Sequence, residues 1–233
     1  MIRNFLFSIF FFFGIILISI VFIPALLLPK KIVILGGKIM GHWASICLRL
    51  FLSTNIVIKG KENLVKEGKF FVASSHQSMF ETFFLQTIFN SPVFILKKEL
   101  LTIPIFGWYL RKIGSISIKR DKITKDNLGF FEDIFKIIKT SNRPLIIFPQ
   151  GTRLARSDRS PFKKGTARIY DELKITCQPV AINSGNTWPK KGSKKSNTNI
   201  TISILEPIKA GIDKETFLKK LENDIYSELD NLN

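Results

Sequence analysis

The sequence predicts an α/β fold: a mostly parallel sheet flanked by helices, behind an N-terminal membrane-embedded helical segment. Two observations lead there. Residues Asn4–Leu28 run for 25 positions without a charge. Beyond Lys59, short apolar runs rich in β-branched residues alternate with longer segments of helical character. A third observation, the distribution of Lys and Arg, orients the second part relative to a membrane.

The first segment reads NFLFSIFFFFGIILISIVFIPALLL. As a helix it is roughly 37 Å long, against a hydrocarbon core of about 30 Å, and Pro24 is placed to kink or end it. A signal peptide is excluded. Its apolar region spans about 7–15 residues and ends at a small-residue cleavage site, whereas this run is longer and meets Pro29-Lys30-Lys31. A soluble core helix would need protein on every side to cover its phenylalanines. The segment is therefore read as a membrane anchor. A second apolar stretch, Ile32–Ile58, is interrupted by Lys38, His42 and Arg49. It is either a second span closing a hairpin or a helix lying in the interface with its cations snorkelling, with Trp43 at headgroup depth. Residues 1–58 form the anchor in this reading, and residues 59–233 a cytoplasmic domain. Arg3 alone precedes the first segment, and Lys30, Lys31, Lys38, Arg49, Lys59 and Lys61 follow it. The excess of cations on that side puts the body on the cytoplasmic face of the cell (inner) membrane.

In the body, strands are expected at Phe70–Ala73, Pro92–Leu96, Ser115–Ile118, Pro144–Phe148, Gln178–Ile182 and Ile200–Leu205. Helices are expected at Met79–Phe89, Ile105–Lys112, Lys125–Thr140, Thr166–Leu173 and Lys214–Leu232. Alternation of this kind builds a layered α/β domain with right-handed crossovers. The segment Trp188–Asn199, WPKKGSKKSNTN, reads as an exposed basic loop.

Composition narrows the function. The 233 residues carry 35 Lys+Arg against 18 Asp+Glu, net +17, yet 45% are hydrophobic and 22 are Phe. That apolar content excludes a disordered chain, and no recurring period supports a repeat protein. Two cysteines are too few for a disulfide scaffold or a Cys-rich zinc site.

Only two histidines are present. His76 lies in SSHQSMFETFF, between an expected strand and an expected helix, with Glu81 five residues on. Five residues on one helix are about 140° apart, so the pair meets only if His76 is in the loop and Glu81 in the first helical turn. There the carboxylate would orient the imidazole, leaving its other nitrogen as a base for a hydroxyl. A second cluster is Phe148-Pro149-Gln150-Gly151-Thr152-Arg153, following the strand PLIIF. It combines a glycine turn, a hydroxyl and a guanidinium fork suited to an anion. A third is Gly114-Ser115-Ile116-Ser117-Ile118-Lys119-Arg120, a strand whose end delivers two cations. No P-loop, dinucleotide fingerprint, nucleophile elbow or His/Cys metal set is present. Activation of a hydroxyl by a base, without a covalent enzyme intermediate, is the simplest chemistry left.

In order along the chain, His76-x4-Glu81, Gly114–Arg120, FPQGTR and Gln178-Pro179-Val180 resemble the four motif blocks of the glycerolipid acyltransferase family. KKEL at Lys97–Leu100 and FKKGTA at Phe162–Ala167 look like the family as well. The resemblance implies that His76 deprotonates an acceptor hydroxyl, with Glu81 standing where the family usually has Asp. It implies acceptor binding by Gly114, Lys119 and Arg120, with Arg120 foremost on the phosphate, and by Gln150, Gly151, Thr152 and Arg153. Gln150 departs from the family's usual Glu. The implied reaction moves a fatty acyl group from a thioester of coenzyme A or acyl carrier protein to 1-acyl-sn-glycerol 3-phosphate, giving phosphatidic acid. No cofactor or metal is implied, and the partners are the two substrates and membrane phospholipids, with acyl carrier protein as a possible carrier. Other acceptors within the family, such as glycerol 3-phosphate, another lysophospholipid or a lyso-aminolipid, fit the same blocks. A basic membrane-tethered module that binds nucleic acid fits the charge alone, but leaves the ordered blocks unexplained.

Overall fold

The computed structural model describes residues 2–118, 128–155 and 157–232. Seven strands form one sheet in the order β1-β7-β6-β2-β5-β3-β4: β1 Asn55–Lys59, β2 Phe70–Ser74, β3 Val93–Lys97, β4 Ile116–Ile118, β5 Leu145–Ile147, β6 Thr176–Ile182 and β7 Asn199–Ile204. Strands β2 to β6 run parallel to one another. β7 pairs antiparallel with β6 and parallel with β1, so two strands oppose the other five. The helices are α1 Ile2–Val21, α2 Lys30–Leu52, α3 Phe80–Ile88, α4 Phe106–Lys112, α5 Leu128–Thr140, α6 Lys164–Leu173 and α7 Lys214–Asn231. The mostly parallel, helix-flanked sheet expected from the sequence is present.

Strand side chains alternate between faces, and here each face has its own core. On one face Phe71, Ala73, Leu145, Ile147 and Cys177 pack against α5, α6 and α7, through residues such as Ile134, Tyr170, Phe217 and Leu221. On the other, Val72, Ile146, Val180 and Ile182 pack against α1, α2 and α3, through Phe7, Phe11, Leu48, Leu52, Phe80 and Leu85. Continuous apolar runs such as PLIIF follow from this burial on both faces.

The second apolar stretch of the sequence divides into α2 and the edge strand β1, separated by Ser53 in a left-handed conformation (φ 48°). α1 and α2 are both long and apolar enough to cross a membrane, and they fold back antiparallel on each other. Arg3 at the start of α1 donates to the Phe51 carbonyl and the Ser53 hydroxyl at the end of α2. Trp43 packs against α1 rather than standing free of the protein. Its ring fills the notch over Gly14, where a Cβ would come within 2.0 Å of the indole nitrogen, and Nε1 donates to the carbonyls of Phe10 and Phe11.

The hairpin also lies along the body for its whole length. Near its start, Phe7 and Phe11 meet Trp188 edge-on, at 5.1 and 5.0 Å between centroids. In the middle, α2 approaches α3 so closely that a Cβ on Gly41 would be 2.5 Å from the Phe83 carbonyl. At the turn, Ala25 and Val33 pack with Tyr109 of α4, whose hydroxyl donates to the Ser19 carbonyl. The opposite side is bare and apolar: Phe5, Phe12, Phe13, Ile16, Ile20 and Leu27 are all exposed. Contiguous apolar surface of this kind marks contact with a membrane or a partner.

Candidate active site

Adjacent strands β6, β2 and β5 end together at one edge of the sheet, and three loops emerge there. This carboxyl edge is where open α/β sheets bind ligands. The loop after β2 carries His76, that after β5 carries Gln150–Arg153, and that after β6 carries Asn183 and Ser184. Ser75 stitches two of them, its hydroxyl donating to the Ile182 carbonyl and accepting from the Ile182 amide. The Leu154 amide ties the third by donating to the His76 carbonyl at 2.9 Å.

His76 lies in the loop and Glu81 in the first turn of α3, the one arrangement that lets them meet. His76 Nδ1 is 3.6 Å from Glu81 Oε2, just beyond hydrogen-bond reach. Nδ1 is buried without another partner. Such contacts commonly tighten when substrate binds. The ring stacks on Phe148 at 4.0 Å between centroids, and Nε2 makes no hydrogen bond among the described residues.

Glu81 is fully buried, and its carboxylate is satisfied by donors rather than by a cation. The amides of Gln77 and Ser78 donate to it at 3.1 Å, the Ser78 hydroxyl at 3.3 Å, and the Ser184 hydroxyl donates to it as well. Ser78-x-x-Glu81 is a capping box, and the Ser78 hydroxyl accepts from the Phe80 amide at 2.8 Å. The α3 N-terminus adds its dipole to the anion. One side chain thus starts the helix and fixes the histidine's partner. Ser184 and Gln77, whose Oε1 accepts from the Gly185 amide, were not singled out by the sequence. The Ser-x-x-Glu spacing was the available signal for Ser78, and nothing local marks Ser184.

Gln150 is almost wholly buried, and its Oε1 accepts from the His76 amide at 2.7 Å. Its role is therefore to hold the histidine's backbone, which a neutral amide does without adding an anion. Burial pushes the Tyr226 hydroxyl up, and a hydrogen bond from the Gln150 side chain partly offsets this. Gly151 closes the turn at φ 74°, a left-handed position that suits glycine. Thr152 is exposed and Arg153 half-buried. Among the described residues neither Arg153 nor its neighbour Lys190 is paired with a carboxylate. The Lys163 amide, in FKKGTA, donates to the Pro149 carbonyl and braces the turn from α6.

Gly114 is not brought to His76. It precedes β4, at the opposite edge of the sheet, where its φ of 76° turns the chain from α4 into the strand. Lys119 and Arg120 follow β4 and lie outside the described residues. Pro179 stands inside β6, paired in register with Ala73 of β2, so it shapes the sheet. Among the described residues no group of three or more His, Cys, Asp or Glu is arranged to hold a metal ion.

A histidine and a carboxylate at the carboxyl edge of a parallel sheet lie beside a glycine turn whose cations, Arg153 and Lys190, pair with no carboxylate among the described residues, and a fold and site of this kind define a class of group-transfer enzyme. The chain belongs to the acyltransferase family, whose model matches residues 55–183. Over 149 residues it is 34% identical to the 1-acyl-sn-glycerol-3-phosphate acyltransferase of Pseudomonas aeruginosa, covering 63% of this chain and 56% of that protein. The enzyme of that name from Saccharomyces cerevisiae is 29% identical, covering 75% and 60% of the two chains. That from Helicobacter pylori is 30% identical, covering 71% and 73%. The chain thus spans less than two thirds of the first two relatives. The crystal structure of a 1-acyl-sn-glycerophosphate acyltransferase from Thermotoga maritima superposes with a TM-score of 0.79, covering 99% of this chain and 97% of the other, at 22% identity. That likeness extends the shared fold through α1 and α2.

Proposed function

We propose that this protein acylates 1-acyl-sn-glycerol 3-phosphate from a fatty acyl thioester, releasing phosphatidic acid and a free thiol. The observation that carries the reading is His76, held between Phe148, Gln150 and the donor-satisfied Glu81, one hydrogen bond from a turn whose Arg153 pairs with no carboxylate among the described residues. The names of the relatives supply the substrate class. His76 Nε2 takes the proton of the acceptor hydroxyl as its oxygen attacks the thioester carbonyl. The tetrahedral intermediate collapses by breaking the C–S bond, and the thiolate leaves with the proton carried by the imidazolium. Glu81 keeps the ring oriented and balances its transient charge. Arg153 anchors the acceptor phosphate, so that binding energy positions the hydroxyl. The acyl carrier is coenzyme A or acyl carrier protein, and no cofactor takes part.

The protein meets its amphiphilic acceptor from within a leaflet. A hairpin whose turn packs on α4 of the body does not project across a bilayer. Its bare apolar side, continued by the exposed Trp108 and Ile103, is suited to lie in the acyl region, with the cationic body on the cytoplasmic surface. The test is turnover of lysophosphatidic acid by purified protein in phospholipid vesicles, with acyl-coenzyme A and acyl carrier protein donors. His76→Ala is expected to lose at least about a thousandfold in kcat, with unchanged vesicle binding. Glu81→Gln loses kcat with little change in KM. Undiminished turnover by His76→Ala would overturn the mechanism.

A further inference from the structure

The basic segment after β6 is exposed along most of its length, as expected, but it is docked at several points. Trp188 is buried edge-on against Phe7 and Phe11, and its amide donates to the Ser184 carbonyl. The Lys195 amide returns to the Thr187 carbonyl and the Asn197 amide to the Leu52 carbonyl, at 2.8 Å each. Lys194 turns inward: its Nζ donates to the Ser8 hydroxyl at 3.2 Å and lies over the rings of Phe7 and Trp188, while Asn4 donates to its carbonyl. The segment is thereby fixed between α1 and the active-site edge.

Two residues beyond Trp188, the exposed Lys190 reaches back to the turn after β5. Its Nζ donates to Thr152 Oγ1 at 3.2 Å and to the Arg153 carbonyl at 3.3 Å. Both acceptors are neutral, and the third ammonium proton is left over. The ammonium thus rests on the backbone of Arg153, and neither cation is paired with a carboxylate among the described residues, so an anion bound at this turn meets two uncompensated positive charges. The pairing also supplies complementary recognition, a planar fork from Arg153 and a point charge from Lys190.

We propose that Lys190 is a ligand of the acceptor's phosphomonoester, completing with Thr152 and Arg153 an anion site beside His76. The assignment rests on the acyl-transfer reading above. It also gives the docked loop a purpose: the segment that carries Lys190 is clamped to α1, so the phosphate site is complete only when the membrane hairpin is seated.

The experiment uses the full-length protein in vesicles, with KM measured separately for lysophosphatidic acid and for the acyl donor. Lys190→Ala is expected to raise the lysophosphatidic acid KM about tenfold, on the order of one charge-assisted hydrogen bond. The donor KM and the melting temperature stay unchanged. Lys190→Arg restores most of the loss, and Lys191→Ala, altering the exposed neighbouring lysine, behaves as wild type. The effects of Lys190→Ala and Arg153→Ala combine non-additively, as expected for two groups on one ligand. A rise confined to the donor KM assigns Lys190 to the phosphates of coenzyme A or the carrier protein and overturns the proposal, as does an unchanged KM for both substrates. Wild-type protein that leaves lysophosphatidic acid untouched overturns the acyl-transfer reading itself, so the two failures are distinguishable.

Discussion

The two helical layers that sandwich the sheet solve the same packing problem and face different solvents. In α7, Phe217, Leu221, Ile225 and Leu229 recur at four-residue spacing and are buried on the sheet. In α1, Phe7, Phe11 and Gly14, at spacings of four and three, form the buried stripe, with Gly14 covered by Trp43 of α2. Away from the sheet the helices diverge. α7 turns Lys219, Lys220 and Asn223 outward, with Lys220 paired to Asp224, whereas α1 turns out Phe5, Phe12, Phe13, Ile16 and Ile20. A helix's inner stripe says where it docks, and its outer face says what surrounds the protein. Hydropathy alone merges the two signals, because a segment apolar on both sides scores as a span whether it crosses a bilayer or lies against a domain.

The largest effect should come from making the outer face of α1 resemble that of α7. Phe13→Asp, Ile16→Asp and Ile20→Asp together leave the ring contacts of Phe7 and Phe11 untouched. Each removes an apolar side chain worth about 1.5–3 kcal/mol of burial, and each adds a charge that resists insertion. Vesicle flotation is expected to show the triple variant lost from the membrane fraction. Activity on a short-chain, soluble lysophosphatidic acid should survive, while activity on vesicle-borne acceptor falls. Retention on vesicles would show that the outer face of α1 is not what holds the protein there.

The inner stripes sharpen the comparison next. Phe217→Ala opens a cavity between water-surrounded layers and is expected to cost about 3–5 kcal/mol in a denaturant melt. Phe11 is buried in the seam between the hairpin and the body, held by rings of Phe7, Phe83 and Trp188, so Phe11→Ala opens a cavity there and forfeits its aromatic pairs, about 0.5–1.5 kcal/mol each. The layer beyond the seam can separate into lipid as apolar as itself, which keeps the loss local. The loss should appear as faster amide exchange confined to α1 and Trp188. Equal global destabilisation by the two variants would mean that the hairpin is an ordinary core layer.

How legible all this was follows from where each signal resides. Strands such as PLIIF and helices such as α7 are local patterns, and the sequence places them within a residue or two. The histidine–carboxylate pair was legible because five-residue spacing admits only one way for the two to meet. β1 was hidden, because NIVIK follows α2 with only Ser53 and Thr54 between and both stretches are apolar. Ser184, Lys190 and the backbone-holding role of Gln150 were illegible for another reason. Each acts across strand order, 103 residues from Ser184 to Glu81, 38 from Lys190 to Thr152 and 74 from Gln150 to His76, and no local pattern encodes such pairings. Gly114 shows the converse limit: a motif block extends along a strand, and its first residue lies just before β4, at the edge of the sheet opposite His76, while its last residues fall outside the described ones.

The smallest expected effect tests why the water-facing layer needs charge where the lipid-facing layer does not. Asp213 caps α7, its carboxylate accepting from the Glu215 and Thr216 amides at 3.1 and 2.9 Å. Hydrogen bonds from Thr216, side chain first and then backbone, hold its carboxyl below the ordinary carboxylate value of 3.8. A depressed folded-state value means that the deprotonated cap favours the folded state. Its contribution is fully present above about 3.8, the ordinary value, and is lost as pH falls through the lower folded value. Asp213→Ala is expected to lower the melting temperature by a few degrees at neutral pH, with the gap to wild type closing as pH falls below that window. Asp213→Asn, which keeps an acceptor at the cap, should retain most of the stability and lose the pH dependence. A gap that stays constant down to strongly acidic pH would show that the cap acts through its shape alone, leaving its charge no part in starting α7.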